Sequence, residues 1–273
     1  MIGLYAASDE TSARELLDTA CDRLRTEGCT LAVGPMNGNT WFQYRLVTDP
    51  GTEPPFFLEP FNPPEWPGHF TGSGFMERAS YFSALNSDLT QRDVRAETHA
   101  LVLFDSGITM RDINLSDLDA EIGRIYEVSV ASFQRNLLYT PVTLGAFASQ
   151  YARLRGYLDP RLVTIAEHEG RTVGFAFAIP DPMEQQREGM TQGGVVGPER
   201  TVIIKTVAIL PERELYSGLG SVLVARTHAR AHELGFTRAI HALIHESNHS
   251  RAVSERTACV MRRYALFARR LRP

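Results

Sequence analysis

Thr201–Asn248 reads TVIIKTVAIL, PERELYSGLG, SVLVARTHARAHELG, FTRAIHALIHESN. The first ten residues are nearly all apolar or β-branched, which predicts a buried strand. A polar turn with two glycines follows. An alanine-rich stretch then predicts a helix closed by Gly235, and a second strand runs to Asn248. A strand that feeds a glycine-rich turn and a helix N-terminus builds an anion cradle. The unpaired N–H groups and the positive end of the helix dipole converge on one spot. Glycines let a phosphate approach the backbone closely.

The turn Leu215-Tyr216-Ser217-Gly218-Leu219-Gly220 resembles motif A of the Gcn5-related N-acetyltransferase (GNAT) superfamily, Gln/Arg-x-x-Gly-x-Gly/Ala. Both glycines match. Leu215 stands where the motif has Gln or Arg, and the nearest arginine is Arg213. Asn248-x-x-x-Ala252 resembles the start of motif B. The resemblance implies acetyl-CoA as co-substrate, an amine as acceptor and no metal. It implies that backbone groups of Val207, Ala208 and Ile209 pair with the pantetheine arm, and that one of their N–H groups polarises the thioester carbonyl. The pyrophosphate takes the amides from Tyr216 to Ser221, and Asn248 contacts the pantetheine. Asn248 is equally suited to be a helix N-cap.

The same resemblance leads one to expect a Glu on one of the two strands and a Tyr in the helix beyond. Here Ser254 or Glu255 occupies the tyrosine position, and strand 201–209 carries Lys205 and no carboxylate. Strand 237–246 offers His241, His245 and Glu246, with the two histidines on one face by alternation. His245 or Glu246 is therefore the expected base. Tyr264 and Ser254 are weaker candidates for the acid. The alternative for a strand histidine is a packed or surface side chain. A His241/His245 metal pair has no third ligand at fixed spacing.

Composition is that of an ordinary globular chain: 273 residues, 43% hydrophobic, 22% charged, net charge -4. This gives no electrostatic support for nucleic-acid binding. The C-terminal MRRYALFARRLRP reads as a strand with an arginine-lined solvated face. Cys21, Cys29 and Cys259 show no ligand spacing and read as small core residues of a cytoplasmic protein. MIGLYAASDE lacks the features of a signal peptide, and no run reaches membrane-spanning length.

From Gly107 onward the order is strand, two helices, hairpin at Glu169-Gly170, strand, helix, strand. This predicts an α/β (α+β) GNAT fold, a mixed, largely antiparallel sheet flanked by helices, over 106–273. Residues 181–200 predict a long loop, either a lid or disorder. In 1–105, Ser12-x-x-Glu15 reads as a capping box, and residues 50–74 as an ordered loop with a short helix near Glu65. Propensity does not decide between helix and strand over 88–104. RTEGCTLAV at 25–33 aligns with HELGFTRAI at 232–240, and GFMERASYFSAL with CVMRRYALFARRL. So 1–105 reads as an incomplete second GNAT-like unit whose turn, Glu10–Ala13, lacks glycines. Such a chain is expected as a monomeric pseudo-dimer or a homodimer. In GPMNGNTW, Asn37, Asn39 and Trp41 are either acceptor-binding groups or turn and core residues.

Overall fold

The computed structural model describes residues 1–184, 187, 200–212 and 215–271. Most of the expected 181–200 loop, and Arg213 with it, lie outside the described residues. The chain divides into two compact units: 1–83 with 243–248 and 260–273, and 84–242 with 249–259. This division is not the linear one expected at 105/106. The C-terminal strand belongs with the N-terminal residues, and the helix just before residue 106 belongs with the second unit.

In the second unit, α3 (Val94–Asp105) makes most of 88–104 helix, with Asp93 capping it through Ala96 N. Next come β4 (Thr109–Asp112), α4 (Leu118–Phe133), α5 (Leu144–Ala152), β5 (Val163–His168) and β6 (Arg171–Pro180). Then follow β7 (Thr201–Ile209), α6 (Leu219–Glu233), β8 (Arg238–His245) and the single turn α7 (Ser250–Ser254). The β5–β6 hairpin turns through Glu169 and Gly170, both at positive φ. Strands β4 to β7 pair antiparallel in sequence order, and β7 pairs parallel with β8. Val202, Ile204 and Ala239 pack against Ala231 and Phe236 beneath α6. Ala231 opens the room and Gly235, at φ 81°, ends the helix, so the sequence pattern and the packing agree.

In the first unit, α1 (Glu10–Thr26), β1 (Leu31–Gly34), β2 (Leu46–Asp49), α2 (Trp66–Gly72) and β3 (Met76–Asn86) precede β9 (Cys259–Arg270). Strand β9 pairs antiparallel with both β1 and β2. The neighbours run β1-β9-β3, then β8, whose Leu243–His245 end falls in this unit. The core gathers Leu17, Cys21, Phe70, Phe75 and Phe267.

Four local expectations are corrected here. The cap of α1 is Asp9, which accepts from Ser12 N at 2.8 Å, so Ser12 lies inside the helix. A carboxylate suits the position because Oδ1 takes the amide while Oδ2 accepts from both the Ser8 and Ser12 hydroxyls. Arg262 is not on a solvated face: it is 4% exposed and paired with Glu59. Cys259 is exposed, unlike buried Cys21. Asn248 is not the cap of α7, since His249 holds that position.

The proline-rich 50–74 segment is ordered, with α2 beginning next to Glu65. Arg262 fastens it, donating to Pro50 O at 2.8 Å and to Glu53 O and Glu59. Asn62 pairs both backbone groups of Val47. Among the described residues no helix is long and apolar enough to cross a membrane.

Candidate active site

Strand β7 keeps two neighbours for only half its length. Its ladder with β8 runs from Thr201↔Arg238 to Ile204↔His241 and stops. On the other side it pairs with β6 as far as Ile209. The residues Lys205 to Ile209 therefore present one backbone edge that β8 does not take up. At the same point β7 is bulged. Phe177 pairs with Thr206 and the next residue, Ala178, with Ile204, so Lys205 is the extra residue. A bulge reverses the side-chain parity beyond it, which turns Val207 and Ile209 toward α6, where Ile204 also lies.

After β7 the chain turns into α6. Gly218 is the N-cap at φ 83° with no side-chain cap bond; the Leu219 amide donates to Tyr216 O at 3.1 Å, and no side-chain oxygen closes the amides of Gly220 and Ser221. The N-terminus of α1, by contrast, is closed by the Asp9 carboxylate. Leu219 and Ser221 are buried and Tyr216 is 6% exposed, whereas Leu215 and Ser217 are exposed. Two side chains stand beside this turn. His99 of α3 lies against Gly218: a Cβ there would meet its Cγ and Nδ1 at 2.4 Å. Arg256 donates to Ser221 Oγ at 2.9 Å and pairs with Asp93 at 2.9 Å. An arginine thus reaches the helix start from beyond α7, although Leu215 occupies the motif position for one.

The structure separates the expected proton-transfer residues. Ser254 is 1% exposed and pairs with His241 Nδ1 at 2.9 Å; His241 Nε2 lies 2.8 Å from His228 Nε2. Burial pushes both imidazoles down, His241 to about 3 and His228 to about 4, so both are neutral at pH 7. Among the described residues no metal-holding group of three ligands forms. Replacing Ser254 with alanine orphans one nitrogen of a buried imidazole. The expected loss is about 1–3 kcal/mol in denaturant unfolding.

His245 and Glu246 lie in the first unit. His245 stands edge-on to Tyr81 at 4.8 Å and pairs with Ser247 Oγ at 2.8 Å. Burial, and then nearby Arg45, lower its pKa. Glu246 accepts from Arg263 at 2.7 Å. Leu243, at φ 60°, breaks the pleat between His241 and His245, so the alternation that put them on one face does not carry through. Tyr264 is 1% exposed, lies 2.9 Å from Ser83 Oγ and donates to Glu59; burial and that carboxylate raise its pKa. Asn248 is exposed and its N–H donates to His245 O. Asn37 Oδ1 accepts from Leu4 N at 2.7 Å and Asn39 Oδ1 from Trp41 N at 2.9 Å, which are turn-forming uses.

No family model matches the chain. A curated relative, the bacterial ceramide synthase of Caulobacter vibrioides, is 25% identical over 183 residues. The match takes in 67% of this chain and 48% of the relative, about half its length. Among solved structures, a GCN5-related glucosamine N-acetyltransferase region of a fungal multi-domain GH3 β-N-acetylglucosaminidase aligns with TM-score 0.54 and 14% identity. That alignment covers 93% of this chain and 27% of the other. A GCN5-related N-acetyltransferase from Sphaerobacter thermophilus aligns with TM-score 0.49 and 18% identity, over 75% of this chain and 55% of its own. The chain has the GNAT superfamily fold, with its largely antiparallel mixed sheet flanked by helices.

Proposed function

We propose that the chain is an acyl-CoA-dependent N-acyltransferase that moves an acyl group, acetyl in the simplest case, onto an amine. The observation that carries this reading is the edge of β7 that β8 leaves free, followed in the chain by a helix N-terminus with no side-chain cap. An extended amide-bearing arm adds to such an edge as a strand would, and a diphosphate satisfies the open amides of α6. Val207 to Ile209 serve the arm, and Gly218 to Ser221 the diphosphate. The thioester oxygen takes one β7 amide as negative charge develops on it.

The GNAT fold supports acyl transfer, and the curated relative adds to it. A ceramide is an N-acylated long-chain amino alcohol, so that relative's name describes amide formation on an amine. The amine panel should therefore hold long-chain amino alcohols beside small polar amines, with acetyl-CoA and longer acyl-CoAs as donors. Calorimetry is expected to show acyl-CoA binding, and a thiol-release assay to show amine-dependent turnover. Binding without turnover for every donor and amine leaves an acyl-CoA sensor or scaffold with a degenerate site. That second reading draws on the missing tyrosine and the absence of a carboxylate on β7. No binding removes both.

A further inference from the structure

The chain uses arginine for nearly every side-chain cation. Of its 28 Lys and Arg residues, 27 are Arg, and the one lysine is Lys205. That lysine is the bulged residue of β7, at the point where β8 leaves it. We propose that Lys205 is the proton carrier of the acyl-transfer site, an inference that rests on the function proposed above.

Its surroundings suit that task and little else. Nζ stands over the Tyr151 ring of α5, 5.1 Å from the centroid, and Tyr151 is itself 5% exposed. A cation there meets a ring face, and among the described residues no ion pair to it forms. On the elements packed with β7, the following titratable groups have partners of their own or face solvent. Burial pushes the Tyr151 phenol up, so it stays protonated. On α4, Glu121 is held by Arg111 and Arg124, and Tyr126 donates to Val142 O. Glu127 of α4 is exposed to solvent. On β6, Arg171 pairs with Glu212. On β8, His241 is one ladder pair away, buried and neutral, and bound to His228 of α6 and to Ser254. Lys205 is half-buried, and desolvation is what lowers it, to about 8.

The choice of lysine separates proton transfer from anion binding. A guanidinium grips carboxylate and phosphate with a rigid fork but keeps its proton throughout the pH range of proteins. A chain that builds its ion pairs from arginine has no need of lysine for a fixed charge. An ammonium in a desolvated niche, however, gives up its proton near neutrality.

The acceptor nitrogen attacks the thioester carbon and forms the C–N bond. The proton it sheds passes to neutral Lys205 Nζ. As the C–S bond breaks, the Lys205 ammonium returns that proton to sulfur, giving amide and free thiol with Lys205 neutral again. A carrier titrating near the working pH serves both halves.

Because it is the only lysine, Lys205 is directly observable. Protein labelled with [13Cε]lysine has one side-chain resonance, which is expected to titrate between pH 7 and 9; a midpoint near the ordinary lysine value overturns the proposal. In kinetics, Lys205→Arg and Lys205→Met are each expected to lower kcat at least 100-fold, in line with the roughly 10²–10⁴-fold range of acid–base catalysis. Acetyl-CoA affinity should stay within threefold. With a weakly basic hydroxylamine acceptor, wild-type kcat is expected to rise through pH 8, and the residual rate of Lys205→Met to be flat. Should Lys205→Met fail to fold, Lys205→Arg and the wild-type titration still decide. Full activity in Lys205→Arg shows a fixed cation is enough and removes the proposal, while leaving the acyltransferase reading intact. A wild type that transfers no acyl group removes both.

Discussion

Replacing Glu59 with alanine is expected to destabilise the chain by about 3–5 kcal/mol, the usual result of stripping one partner from a buried ion pair. For a protein of this size that is a fall in Tm of roughly 5–9 °C. Arg262 and Glu59 side chains are 4% and 3% exposed, so the guanidinium left behind has no water to replace the carboxylate. The same carboxylate accepts from Tyr264, whose phenol would lose that partner too. Arg262 also ties down Pro50 and Glu53 by their carbonyls, so the proline-rich segment is expected to loosen with it. Thermal unfolding measures the first effect, and protease sensitivity of residues 50–62 the second. A double replacement of Glu59 and Arg262 by leucine should recover only part of the loss: no unpaired charge remains, but the Tyr264 phenol and the Pro50 and Glu53 carbonyls lose their partners. A single Glu59→Ala variant as stable as wild type contradicts the assignment.

The second large effect concerns Gly218. Alanine there meets two obstacles at once. Its φ of 83° costs an L-residue about 1–2 kcal/mol, and its Cβ would fall 2.4 Å from the His99 ring. The turn must shift, and the amides that precede Ser221 shift with it. Acetyl-CoA affinity measured by calorimetry is expected to fall at least tenfold, with Tm lowered by only a few degrees. Removing the clash through a His99→Ala, Gly218→Ala pair restores room but not the backbone conformation, so binding should recover only in part. An unchanged dissociation constant in Gly218→Ala would mean that the start of α6 does not hold the ligand.

Much of the second unit is legible in local pattern. The apolar run 201–210, the alanine-rich helix and Gly235 each leave a period or a stop signal that packing then uses without conflict. The Glu169-Gly170 turn likewise declares its hairpin. What escapes local pattern is long-range. Strand β9 lies between β1 and β3, a pairing across more than two hundred residues for which no neighbouring residue carries a signal. Arg262 reads as surface because its partner, Glu59, is remote in sequence. The helix at 94–105 is hard to read because its exposed Val94, Leu101, Val102 and Phe104 blur the apolar stripe. In the candidate site, the glycine turn and the β7 edge are legible as motif. Where the expected acid and base candidates fall is not. Their positions depend on the Lys205 bulge and the left-handed Leu243, each of which resets a parity that alternation takes for granted. The ratio of arginine to lysine is a signal in plain view, since one lysine against 27 arginines marks Lys205 by composition alone.

The central claim is that one β7 edge and the amides opening α6 together hold an acyl-CoA. Amide hydrogen exchange with and without acetyl-CoA tests it residue by residue. Slowed exchange is expected along Val207 to Ile209 and at Gly220 and Ser221, with little change at the carboxylate-capped start of α1. Saturation with acetyl-CoA that leaves both segments exchanging as before would contradict it.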